Sequence, residues 1–129
     1  LRFEGGKVVD FGAQTGYDAL KSLLDTDEGA RHIGEIALIP ASSPISQQGI
    51  LYYNTLFDEN ASCHMALGDC YPDTTLGGEN MSEEEVGTRG GNHSAVHVDF
   101  MFGTPDMKIT GIAHDGGETP VFENGEFVL

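Results

Sequence analysis

Two residues on one short apolar run offer the sharpest chemistry in this sequence. Ala95-Val96-His97-Val98-Asp99-Phe100-Met101-Phe102 has the hydrophobicity of a buried strand, yet it carries a histidine and an aspartate two positions apart. Side chains at i and i+2 of a strand share a face, so His97 and Asp99 project together while Val96, Val98 and Phe100 line the other side. An ionised carboxylate inside an apolar strand is costly unless something pairs with it. A hydrogen-bonded structural pair and a metal ion would both serve, and the spacing alone leaves the two open.

Further polar residues in apolar surroundings widen the set. Glu35 begins the apolar run Glu35-Ile36-Ala37-Leu38-Ile39-Pro40, where it faces either inward or solvent. Glu59 belongs to the polar cluster Asp58 to Ser62, in which Asp58 or Ser62 is also a helix-cap candidate. His64 sits inside Cys63-His64-Met65-Ala66-Leu67-Gly68, which reads as buried. Together Glu35, Glu59, His64, His97 and Asp99 mix the oxygen and nitrogen ligands that suit zinc, cobalt or manganese. They form no compact signature of the His-Glu-x-x-His kind, and Glu59 and His64 converge only across a bend.

Other candidates weigh less. His32, His93 and His114 lie in polar or turn contexts and read as structural. A Ser-His-Asp triad built on Ser62 or Ser94 has no nucleophile elbow around it. Cys63 and Cys70 match no common zinc or redox spacing, so reduced thiols in a cytoplasmic protein are the default.

The elements that must position these groups are short. Leu1 to Phe11 alternates around Gly5-Gly6 as a hairpin. Thr15 or Gly16 opens a helix with Tyr17, Leu20 and Leu24 at helical spacing, and Asp27 caps a second short helix that Gly34 ends. Glu35 to Pro40 is a strand, Ser42 to Gly49 a loop, and Ile50 to Phe57 an aromatic-rich run that fits strand or helix. Ser82 with Glu85 forms a capping box, its acidic turn solvated. Met107 to His114 and Thr119 to Val128 are strands, the last pair turned by Asn124-Gly125. The fold class is α+β: mostly antiparallel strands with a few short helices, and no internal repeat.

Composition bounds the function. A chain of 129 residues with 39% hydrophobic content has room for a core. Its 21 acidic against 6 basic residues give a formal charge of −15. Such a surface repels phosphate backbones, which argues against nucleic acid, and favours cationic groups and divalent metals. No apolar run approaches a membrane span and no signal-peptide pattern opens the chain. Beginning at Leu1, the sequence reads as a piece of a longer protein.

Three blocks then carry a resemblance: Asp27 to Pro40, Tyr53 to Gly68, and Asn92 to Met101, with Pro120 to Glu126 following in order. They resemble the aminopeptidase T / aminopeptidase S family of metal-dependent peptidases. The resemblance implies that residues 1–129 are the C-terminal, metal-binding part of a larger catalytic domain. It implies that Glu35, Glu59, His64, His97 and Asp99 help hold a pair of divalent metals (zinc, cobalt or manganese). Tyr71 would touch the metal or the reacting carbonyl. A further site glutamate would belong to a segment upstream of Leu1, leaving this chain with an incomplete site, and that residue and Glu59 are the candidate general bases. The implied activity is removal of N-terminal residues from peptides with a free N-terminus, in a cytoplasmic homodimer. The alternative is a folded fragment, or a dimerisation or interaction module, with no chemistry of its own.

Overall fold

The computed structural model describes all 129 residues, as eight strands, four short α-helices and several 3-10 turns. The strands form one two-stranded and two three-stranded sheets, so the α+β expectation holds. Contacts divide the chain into two compact units, residues 1–36 with 65–100 and residues 37–64 with 101–129.

The first unit opens with the expected hairpin, β1 (Arg2–Glu4) and β2 (Lys7–Asp10), paired antiparallel. Gly5 and Gly6 both have positive φ, which is what a two-residue hairpin turn demands. Helix α1 (Tyr17–Leu24) follows, and its Leu20, Leu23 and Leu24 turn inward. Val8, Leu24 and Leu67 form the buried centre, with Phe3, Phe11, Ile33 and Phe100 packed around it. Burying side chains of this size contributes about 1.5–3 kcal/mol each, and this cluster is what seats the strands beside it.

Those strands are β3 (Ile33–Ala37), β4 (His64–Gly68) and β5 (His97–Met101), in the order β3-β4-β5. The Gly68 N–H donates to the His32 carbonyl and the Asp69 N–H to that of Val96. The end of β4 therefore meets the beginnings of both neighbours, and β4 runs antiparallel to each. Two glycines permit this. A Cβ on Gly34 would lie 2.1 Å from the Asp69 carbonyl oxygen, and one on Gly68 (φ +105) 1.9 Å from that of Val96. Strand β3 accordingly starts two residues before the expected Glu35, because pairing begins beside Gly34. It also ends early: the Ile39 N–H and carbonyl are both bonded to the Cys63 thiol, at 3.2 and 3.3 Å, instead of to a ladder. Strand β5 keeps the expected face for Phe100, which joins the core, whereas Val98 on that face is exposed.

Two carboxylates fasten the chain as it enters β5. Asp27 accepts from the Ser94 hydroxyl at 2.8 Å, the Ala95 N–H at 2.7 Å and the Ala30 N–H at 2.8 Å. The 3-10 turn Gly29–Arg31 has Glu28 at its N-cap and not the expected Asp27, whose carboxylate reaches the Ala30 N–H from one residue further back while also fastening the approach to β5. The Ser94 hydroxyl is committed to that carboxylate, which removes it as a nucleophile. The capping box at α4 (Glu83–Thr88) is present, with Ser82 and Glu85 bonded reciprocally.

In the second unit, Ser42 to Gly49 is not all loop. Pro44 stands at the first position of helix α2 (Pro44–Gln48) and Gly49 closes it in the left-handed region. Proline loses nothing at a position whose N–H has no helical partner. The aromatic-rich run resolves into exposed irregular chain followed by α3 (Thr55–Asp58). Asp58 does not cap forward. Its carboxylate reaches back to the N–H groups of Tyr52 and Asn54, holding the strained Tyr53 (φ 57) between them. The antiparallel sheet of β6 (Ile109–Ile112), β7 (Glu118–Glu123) and β8 (Glu126–Phe127) turns at Asn124-Gly125, both with positive φ, as expected. Phe122 is buried under it, edge-on to Phe127.

Two outcomes follow. Gly34→Ala should cost on the order of 1–3 kcal/mol, the range for overpacking, read as a lower urea midpoint at unchanged slope. A midpoint equal to that of the parent would contradict the close approach described for Gly34. Hydrogen bonds from Ala95 and Ser94 hold the Asp27 carboxyl below the usual carboxylate range. Its contribution is complete above the unfolded-state value and lost as pH falls through the depressed folded value. Acid unfolding followed by circular dichroism should therefore begin at higher pH in the parent protein than any Asp27-independent loss would predict, and Asp27→Asn should be less stable at neutral pH with a flatter acid limb.

Candidate metal centre

The sheet β3-β4-β5 brings four of the candidate residues into view. Glu35 lies in the middle of β3 and not at its start, three-quarters buried, so its side chain faces inward. His64 opens the central strand and is 2% exposed. His97 and Asp99 stand two apart on β5, the side chain of His97 18% exposed and that of Asp99 10%. Glu35, His64 and Asp99 each offer a ligand atom, and these atoms all lie within 4.8 Å of one another. His97 Nε2 is 3.1 Å from Glu35 Oε2 and 3.4 Å from Asp99 Oδ1.

The hydrogen bonds behind the two imidazoles fix what they present. His64 Nδ1 is 3.0 Å from the Ser62 carbonyl oxygen and His97 Nδ1 is 2.8 Å from that of Asp69. A carbonyl can only accept, so each Nδ1 carries its hydrogen. In the neutral ring Nε2 is then a bare lone pair. This is the tautomer of a metal-ligating histidine held from behind by an outer partner.

The front of the site is less comfortable. His97 Nε2 and Asp99 Oδ1 are close enough to be counted as an ion pair, yet both are buried atoms that make no hydrogen bond of acceptable geometry. In the neutral ring, a nitrogen lone pair facing carboxylate oxygens has no proton to share. Lone pairs crowded together in a partly dry place repel, and a cation among them turns each into an attraction. The donor set and its alignment fit a divalent ion with oxygen and nitrogen ligands.

Tyr71 follows β4 and lies against the site. Its ring packs on His97 with centroids 4.6 Å apart at 48°, and about half of the residue is exposed. Glu59 begins the 3-10 turn Glu59–Ala61 and is partly buried there, and it is not one of the three residues with ligand atoms within mutual reach. His32 directly precedes β3, where its carbonyl accepts from the Gly68 N–H, His114 is exposed in the turn after β6, and Cys63 and Cys70 are free thiols. Sequence reasoning missed the backing groups, Asp69 and the Ser62 carbonyl. Main-chain acceptors leave no mark on composition or spacing, although the Gly68-Asp69 step out of a buried strand marks where one can turn inward.

Comparison with known proteins agrees with this geometry. A family profile described as thermophilic metalloprotease (M29) matches residues 1–127. Aminopeptidase 2 of Geobacillus stearothermophilus is 53% identical over 129 residues, which are 100% of this chain and 31% of that protein. Aminopeptidase T of Thermus aquaticus is 48% identical over 128 residues, again 31% of its length. The solved structure of wild-type AmpT from Thermus thermophilus superposes with a TM-score of 0.86 at 46% identity, over 99% of this chain and 31% of that one. The chain therefore spans about a third of the length of the relatives it matches. With its sequence matched almost end to end and its strands superposing on a solved relative, the chain belongs to the thermophilic metalloprotease family.

Proposed function

We propose that this chain forms the metal-binding end of a metal-dependent aminopeptidase, acting on peptides with a free N-terminus. One observation carries the reading. Two histidines, each backed at Nδ1 by a backbone carbonyl, converge with the carboxylates Glu35 and Asp99 on one small space, where the ligand atoms of Glu35, His64 and Asp99 lie within 4.8 Å of one another. The names of the relatives, all aminopeptidases, supply the reaction class.

Glu35, His64, His97 and Asp99 would hold the first ion, and Glu59 joins them in the reading that two zinc, cobalt or manganese ions are bound. Divalent ions at such a site supply Lewis acidity and a water acidic enough to ionise near neutral pH. The protein's own groups do the rest. Tyr71, whose ring packs on His97 and which is half open to solvent, would donate its phenolic hydrogen to a substrate carbonyl as negative charge develops there. Glu59, or a glutamate outside residues 1–129, takes the proton from the attacking water and returns it to the leaving amine. The net charge of −15 favours a cationic ammonium terminus over a blocked one. In this reading residues 1–129 are one part of a catalytic domain, and the full-length protein is a cytoplasmic homodimer.

A second reading has its own support. Because the chain spans 31% of its relatives' length, it can fold and bind metal without turning substrate over. Calorimetric titration separates the parts: the parent chain should take up zinc or cobalt, and His97→Ala should weaken uptake by at least an order of magnitude, a loss of about 1.4 kcal/mol or more. Uptake indifferent to His97→Ala would sink the site assignment. In the full-length protein, Glu35→Gln should abolish release of amino acids from short peptides, while this chain alone releases little or none. Normal turnover by the full-length Glu35→Gln variant would contradict the proposed chemistry.

A further inference from the structure

Asp69 has three groups engaged at once. Its N–H donates to the Val96 carbonyl at 2.7 Å, and its carbonyl accepts from His97 Nδ1 at 2.8 Å. Its carboxylate oxygen Oδ1 accepts from the Ser94 N–H at 3.0 Å and lies 3.0 Å from His93 Nδ1. The same carbonyl oxygen occupies space that only a glycine at position 34 leaves, 2.1 Å from where a Cβ would stand. Gly68, at φ +105, is the bend that turns this carbonyl out of strand β4.

We infer that Asp69 is a positioning residue for His97: its carboxylate fastens the approach to β5, so that its own carbonyl stays aimed at Nδ1 and holds the imidazole with Nε2 bare. The inference rests on the metal reading for its purpose but not for its geometry. The chain reverses between β4 and β5 only through the long connection from Cys70 to Val96. Without the side-chain clamp, the carbonyl of residue 69 and the ring of residue 97 sit on separate strands joined there by the backbone bonds from Asp69 to Val96 and from Cys70 to Asn92. With it, residues 93 and 94 are tied to the very residue whose carbonyl selects the tautomer. A carboxylate that served only to stabilise the loop would leave the His97 tautomer indifferent to its removal. The Asn92 amide, which donates to the carbonyls of Gly29 and Gly68, holds the start of this approach by other contacts. The fold thus does not rest on Asp69 alone.

Long-range nitrogen–proton correlation spectra of the imidazoles read the tautomer directly, without metal and without turnover. In the parent protein, above the pH at which the ring loses its charge, His97 should show the Nδ1–H form. A dominant Nε2–H form would overturn the proposal whatever the variants do. Asp69→Ala should mix the two forms and weaken zinc binding by about 10–100-fold, the range for loss of an outer partner of a ligating histidine. Asp69→Asn keeps an oxygen for the Ser94 N–H and should restore most of both. An Asp69→Ala protein that is folded, by its amide spectrum, and keeps an unmixed Nδ1–H signal at His97 would overturn the proposal. A parent protein with the Nδ1–H form but no zinc uptake would sink the metal reading and leave this positioning role standing.

Discussion

A carbonyl oxygen has no hydrogen to give, and much of this structure follows from that. Once the δ nitrogens of His64 and His97 are tied to the carbonyls of Ser62 and Asp69, the neutral rings present their ε nitrogens as acceptors. The sheet then points acceptors from β3, β4 and β5 at one another. A fold spends stability to crowd lone pairs in this way, and the local packing is arranged to withstand it. The apolar cluster around Val8, Leu24 and Leu67 seats the strands, glycines at 34 and 68 let backbone oxygens come within contact distance, and two aspartates fasten the entry to β5. Oxygen and nitrogen donors converging on one space fit a divalent ion, in keeping with the metalloprotease description of the family.

How much of this was legible beforehand depended on whether a feature is written in side chains or in backbone. Both hairpins could be read because their turns require positive φ, and Gly5-Gly6 and Asn124-Gly125 announce it. The capping box at Ser82 was equally open, since both of its partners are side chains three residues apart. The His97-x-Asp99 pair was visible from strand period alone. The inward face of Glu35 was not, because the strand's true start depends on a close approach at Gly34 that no local pattern encodes. The helix after Ser43 was hidden by the same proline and serine that normally argue for a loop. Choosing between a structural pair and a metal needed the carbonyls behind the rings, and those belong to residues of no distinctive type.

The buried Cys63 shows a related economy. Its thiol takes the N–H and carbonyl of Ile39, the groups that would otherwise have extended β3. A small side chain thereby ends a strand whose sequence, apolar up to Pro40, had every reason to continue. It does so one residue before His64, so strand termination and the placement of an imidazole are set within a single dipeptide.

The Asn92 side chain carries a liability of a different kind, chemical ageing. Its amide nitrogen gives hydrogens to two carbonyl oxygens, those of Gly29 at 2.8 Å and Gly68 at 2.5 Å. Deamidation would replace that double donor with a carboxylate, setting negative charge against both oxygens at the base of the β5 approach. Two favourable contacts would become two repulsions at one stroke, beside the bend at Gly68. Slow hydrolysis of that one amide would then be a clock on working life, running independently of how stable the folded state is on any given day.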